Sequence, residues 1–206
     1  MSHAAVLLAG GKSSRMGRDK SALLIHGEPL WRHQLATLRA TEPAELFISG
    51  KCDGPYANCG VEILADEFPD CGPLGGIASA LRRCKSERLL VLAVDMPAMT
   101  ATFLRTLVEQ SQRIARGVVP SVSADVKRQA GISPVTKDEE EPHFEPIAAV
   151  YSRAALAVAD ECLRSGERKL ESFIHALLAK DLVHIRPAEA KDARFFENWN
   201  TPADIP

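Results

Sequence analysis

Six consecutive apolar residues, Ala4-Ala5-Val6-Leu7-Leu8-Ala9, run straight into a glycine pair and a cluster of cations, Gly10-Gly11-Lys12-Ser13-Ser14-Arg15-Met16-Gly17-Arg18-Asp19-Lys20. This junction limits the fold more than any other feature of the chain. An unbroken apolar run of strand length is what a parallel strand covered on both faces requires. It is too short to span a bilayer, and with only Met1, Ser2 and His3 before it, no secretory leader is expected.

Similar runs recur at Glu45–Ser49, Val61–Ala65 and Arg88–Val94. Between them, Leu30-Trp31-x-x-Gln34-Leu35-x-x-Leu38, Leu74-x-x-Ile77-x-x-Ala80-Leu81 and Phe103-Leu104-x-x-Leu107-Val108 have helical spacing. The alternation predicts an α/β fold with a doubly wound, mostly parallel sheet. Further on, Gly117–Val122, Pro146–Tyr151 and Asp181–Ile185 are expected strands, and Ala154–Leu163 and Lys169–Leu178 expected helices. At 206 residues the chain is expected to form a single domain. Its nucleotide-binding half would cover about 1–115 and its acceptor half about 116–206, with a mobile polar loop at about 123–145 that holds the acidic run Asp138–Glu141.

A formal net charge of −2 leaves no broad basic field for nucleic acid or an anionic membrane, so any anionic ligand must be held locally. The five cysteines, at 52, 59, 71, 84 and 162, form no C-x-x-C pair, which argues against a zinc knuckle or thioredoxin-type site. Their odd number fits reduced thiols and a cytoplasmic location.

The glycine loop is placed where open α/β sheets bind ligands, outside the carboxyl end of a strand. Glycine lets backbone approach a phosphate, and Lys12, Arg15, Arg18 and Lys20 supply the charge that a triphosphate needs. Two commoner motifs fail. A Walker A loop ending at Gly11-Lys12-Ser13 would need glycine where Val6 stands, and adjacent glycines at 10 and 11 break the G-x-G-x-x-G pattern.

Arg88–Val94 ends in Asp95-Met96-Pro97, which brings a carboxylate out beside that loop. Mg²⁺ takes one or two carboxylates together with substrate phosphates, so Asp95 is the expected metal ligand. An aspartate there could also cap the next helix, but Thr100 is nearer its start. The segment Asp66…Gly72-Pro73-Leu74-Gly75-Gly76 follows the third strand, and a carboxylate in it suits the donor groups of guanine or ribose. At the far end, Asn198 and Asn200 would point the same way from an extended segment. The isolated histidines, His26, His33, His175 and His184, suggest structural or exposed roles, and no nucleophilic triad can be read from spacing.

Leu8-Ala9-Gly10-Gly11, Arg15-Met16-Gly17 and Asp19-Lys20 together resemble the signature loop of the molybdenum cofactor guanylyltransferases, within the nucleotidyltransferase superfamily. Asp95-Met96-Pro97, Gly72-Pro73-Leu74-x-Gly76 and Phe196-x-Asn198-x-Asn200-Thr201-Pro202 are similar to further elements of that family. The resemblance implies a nucleotide-diphospho-sugar transferase type of fold. Leu8, Ala9, Gly10, Gly11, Lys20, Ser49, Asp66 and Asp95 would bind the nucleotide, and Asn198 and Asn200 the acceptor. Lys20 would hold the phosphates, Arg15 would neutralise the leaving pyrophosphate, and Asp95 would complete the catalytic set with Mg²⁺. Ser49 stands where the family often has a nucleotide-contacting Asn, and Glu145 stands before Pro146 where the family commonly has His.

The expected activity is transfer of GMP from MgGTP to molybdopterin phosphate, with pyrophosphate released. Cytidylyl transfer to the same acceptor, nucleotidyl transfer to a sugar or alditol phosphate, and a nucleotide-binding regulator lacking an acceptor site stay open as alternatives. The resemblance leaves room for transient contacts with proteins that deliver the cofactor or receive it.

Overall fold

In the computed structural model, which describes residues 2–10, 21, 23–25, 27–65, 71–130 and 143–199, the first strand sorts its side chains between two cores. Along β1 (Ala4–Leu8), Ala4, Val6 and Leu8 enter one core and Ala5 and Leu7 the other. This is the period-two alternation of a strand with both faces covered.

β1 lies between β4 (Glu45–Ser49) and β6 (Arg88–Ala93) and is parallel to both, and β5 (Glu62–Leu64) extends the sheet beyond β4. With β9 (Ala148–Ser152), β7 (Gly117–Val122) and β10 (Val183–Pro187), the order is β10-β7-β9-β6-β1-β4-β5. The chain moves outward from β1 through β4 and β5, then returns to its other side at β6. That reversal makes the carboxyl end of β1 a topological switch point, where such sheets form a crevice.

Helix α1 (Leu30–Arg39) puts Leu30, Trp31, Leu35 and Leu38 on one face of the sheet, and α3 (Ala101–Ile114) adds Phe103, Leu104 and Leu107 there. On the other face, α2 (Gly72–Arg83) packs with Leu74, Ile77 and Leu81, beside α5 (Ala155–Arg164) and α6 (Leu170–Ala179). The fold is the expected mostly parallel, doubly wound α/β type. All five cysteines are free thiols. Among the described residues no helix is long and apolar enough to cross a membrane.

Three local features differ from the sequence-based expectations. Strand β9 runs antiparallel to both β6 and β7. Being antiparallel to β7, it enters the sheet from the carboxyl end of β7 and runs the other way. The expected loop at about 123–145 starts as a helix, α4 (Ala124–Gln129), capped by the Ser123 side chain, which accepts from the Val126 N–H. It ends as a short strand, β8 (His143–Phe144), antiparallel to β7. Residues 131–142, with the acidic run, lie outside the described residues. A small hairpin of β2 (Leu24–Ile25) and β3 (Glu28–Pro29) precedes α1, too short for apolar periodicity to mark it.

Candidate active site

The three described residues of the glycine loop are fastened from both sides. Val94 N–H donates to the Leu8 carbonyl at 3.1 Å, and the N–H groups of Ala9 and Gly10 both donate to the Ser49 carbonyl, at 2.9 and 3.0 Å. Leu8 and Ala9 are buried and Gly10 is exposed at the crevice. The N–H of Gly10, like that of Ala9, is thus engaged by Ser49 and not turned toward a ligand. Gly11, Arg15, Lys20, Asp66 and Asn200, each expected in the site, lie outside the described residues.

Ser49 is 3% exposed, so its hydroxyl sits in the wall of the crevice rather than on its surface. Gly76 of α2 presses against it. A Cβ on Gly76 would stand 2.4 Å from Ser49 Oγ, 3.2 Å from Ser49 Cβ and 3.1 Å from Leu8 Cδ2. Glycine at this place is what lets α2 approach the ends of β1 and β4. Gly76→Ala is expected to destabilise the protein by about 1–3 kcal/mol through overpacking. Ser49→Ala should recover part of that loss in the double variant, which chemical denaturation of all four proteins would measure. An equal penalty in both backgrounds would mean that the Ser49 hydroxyl is not what limits the approach.

The turn beyond Ser49 is clamped as well. Tyr56, 1% exposed, accepts from the Lys51 N–H at 3.0 Å and meets Trp31 of α1 edge-on, with ring centroids 6.3 Å apart. A Cβ on Gly50 would fall 2.0 Å from the Tyr56 hydroxyl oxygen, so only glycine fits beneath the ring. Sequence reasoning passed over Tyr56, which carries no motif and lies five residues beyond the amide it binds.

Asp95 is half-buried in the turn that leaves β6, beside the Leu8 end of β1. It is not the helix cap. Thr100 has that role, accepting from the Phe103 N–H at 3.3 Å. The Asp95 carbonyl accepts from the Trp199 N–H at 2.9 Å, which places exposed Asn198 next to the Asp95 turn. A 3₁₀ helix, Ala190–Phe196, leads into this segment and anchors it by packing Phe195 and Phe196 on Phe103, with ring centroids 5.3 and 5.5 Å apart. The structure thus brings together Leu8, Ala9, Gly10, Asp95 and Asn198 at one end of the sheet, with Ser49 behind them.

A second carboxylate lies near enough to feel the Asp95 charge. Glu145 sits just before β9, where its N–H donates to the Pro120 carbonyl at 2.8 Å and its carbonyl accepts from the Ala148 N–H at 3.2 Å. Burial pushes its carboxyl up to about 7 and the Asp95 charge adds to this, while Lys127 on α4 opposes it. Glu145 stood out in the sequence only as a replacement before Pro146, since nothing local indicates that it is buried within range of the Asp95 charge.

Among the described residues no three His, Cys, Asp or Glu side chains gather as a metal cluster. The carboxylate at the strand end beside the glycine loop, that of Asp95, offers oxygen ligands of the kind a hard divalent cation takes together with phosphate and water.

The family described as "MobA-like NTP transferase domain" matches residues 5–182. A probable molybdenum cofactor guanylyltransferase from Opitutus terrae is 34% identical over 204 residues, covering 98% of this chain and 92% of the relative. Among solved structures, molybdopterin-guanine dinucleotide biosynthesis protein A from Archaeoglobus fulgidus superposes with a TM-score of 0.71 at 22% identity, covering 98% of this chain and 94% of the other. The 2-C-methyl-D-erythritol 4-phosphate cytidylyltransferase of Thermus thermophilus gives a TM-score of 0.70 at 17% identity, covering 97% and 93%. At such identities the two structures speak for the fold alone, and a guanine-type and a cytosine-type enzyme share it.

Proposed function

Since this chain belongs to the MobA-like NTP transferase domain family, we propose that it is a molybdenum cofactor guanylyltransferase, which transfers GMP from GTP to the phosphate of molybdopterin and releases pyrophosphate. The observation that carries this reading is the meeting of three distant segments. Val94 N–H binds the Leu8 carbonyl and Trp199 N–H binds the Asp95 carbonyl, so the glycine loop, the strand-end carboxylate and the asparagine segment share one crevice.

In the reaction, a phosphate oxygen of the acceptor attacks the α-phosphorus of GTP, and the bond to the pyrophosphate oxygen breaks. No protein nucleophile is needed; catalysis is positioning and charge neutralisation. On this reading Leu8, Ala9, Gly10 and Gly11 seat the nucleotide, and Ser49 serves it through the carbonyl that fixes Ala9 and Gly10. Lys20 holds the phosphates, Arg15 balances the leaving pyrophosphate and Asp66 recognises the nucleotide. Asn198 and Asn200 face the acceptor. Asp95 would hold Mg²⁺, which when bound neutralises charge on the reacting phosphates. The free thiols suit a reducing compartment, and we place the protein in the cytoplasm, where it would contact cofactor-delivering and cofactor-receiving proteins transiently.

Pyrophosphate release tests the proposal. With GTP and Mg²⁺ it should require molybdopterin, and CTP should compete poorly for the site. Release driven by a sugar phosphate instead would overturn the acceptor. Tighter binding of CTP than of GTP would overturn the base while leaving the transfer chemistry intact.

A further inference from the structure

The apolar face of α1 carries one polar side chain with no place in a core. Gln34 is 0% exposed, between Leu30, Trp31, Leu35 and Leu38. Its Nε2 donates to the Met96 carbonyl and, at 3.4 Å, to the Ala93 carbonyl. Carbonyl oxygens can only accept, so the atom facing both must be the NH₂ group, which has two hydrogens to give. The two carbonyls lie on either side of Asp95. Its own carbonyl is held from a third direction by the Trp199 N–H.

The other end of the same amide, Gln34 Oε1, is buried with no hydrogen-bond partner among the described residues. A methionine of similar volume would fill the space without burying an unsatisfied acceptor. Stability alone therefore does not explain an amide here, whereas fixing the backbone on both sides of Asp95 does.

The geometry points to Gln34 as a positioning residue that, from α1, sets the direction of the Asp95 carboxylate through the backbone on both sides of it, an inference that rests on the proposed role of Asp95 in holding the divalent cation. Pro97, next in the turn, has no N–H to donate, and the Met96 carbonyl accepts locally from the Met99 N–H at 3.1 Å, so the amide adds a second tie there and one at Ala93. Gln34 supplies these two ties across sequence separations of 59 and 62 residues. Buried between two helical turns and a strand end, it has little freedom to release them.

The test uses the full-length protein with Mn²⁺ as a paramagnetic probe, titrated in the presence of GTP and read by electron spin resonance, alongside steady-state turnover. Gln34→Met should raise the Mn²⁺ concentration at half-saturation about fivefold and lower kcat about tenfold, with KM for GTP changed less than twofold. In an Asp95→Asn background the same substitution should have almost no further effect on either quantity. Should Gln34→Met fail to fold, Gln34→Asn, which keeps the amide but withdraws it by one methylene, carries the same expectations. A folded Gln34 variant with unchanged Mn²⁺ binding and kcat would overturn the inference, as would a full effect persisting in the Asp95→Asn background. If Asp95→Asn itself leaves Mn²⁺ binding intact, the reading of Asp95 fails first, and that result is distinct from a failure at Gln34 alone.

Discussion

Asp95→Asn is expected to lower turnover by about 100-fold or more while the protein stays folded. The substitution keeps the shape of the side chain and removes the charge proposed to hold the cation, which supplies several kcal/mol of transition-state stabilisation in reactions of this kind. Retention of the fold is expected because asparagine keeps the size of the side chain and an oxygen that can still accept hydrogen bonds. The start of α3 is capped by Thr100, and the contact that ties the Asp95 turn to the C-terminal segment uses the Asp95 backbone carbonyl, which any residue would present. Pyrophosphate release under saturating GTP and millimolar Mg²⁺, together with a thermal melt, checks both parts. Near-normal turnover would remove Asp95 from the metal site. A large fall in melting temperature would show that the side chain has structural work as well.

Glu145→Gln is expected to change how stability depends on pH. In the folded protein the Glu145 carboxyl is pushed up to about 7 from the ordinary 4.5, first by burial and then by the nearby Asp95 charge. Between those values the folded chain holds a proton that the unfolded chain gives up, so stability falls as pH rises through this window. A shift of that size corresponds to up to about 3 kcal/mol, all of it lost above pH 7 and none of it below about pH 4.5. Glutamine keeps the shape and cannot ionise. Measured by denaturant unfolding with divalent cations removed, the variant should gain on the parent by up to about 3 kcal/mol on going from pH 5 to pH 8. An identical difference at the two pH values would mean that Glu145 ionises normally and is better solvated than its surroundings suggest.

The strands β1, β4, β5, β6 and β7 and the helices α1, α2, α3, α5 and α6 could be read from the chain to within a few residues at most ends. Each carries its own period, two residues for a strand and 3.6 for a helix, so the signal lies in near neighbours. The glycine loop, Asp95 and the asparagine segment were legible for the same reason, as short ordered motifs at the ends of such elements. Strand β9 was located as a strand, but its direction was not, because antiparallel entry depends on how the chain returns from β7 and leaves no mark in its apolar pattern. Helix α4 is only six residues long, below the length at which periodicity separates from a polar loop.

The tertiary structure alone decided what the individual side chains do. Ser49 is a polar residue at a strand end, and nothing in Phe47-Ile48-Ser49-Gly50 tells whether its hydroxyl or its carbonyl serves the site. The close approach of Gly76, 27 positions later, buries the hydroxyl and leaves the carbonyl to fix the glycine loop. Glu145 likewise feels the Asp95 charge only because β9 is laid beside β6, and Gln34 reaches the Asp95 turn only because α1 packs on that face of the sheet. Local pattern determined which elements this chain forms and that a glycine-rich segment follows β1. Contacts between residues far apart in sequence, set by helix-on-sheet packing, determined which polar atoms face the crevice and which hold it in shape.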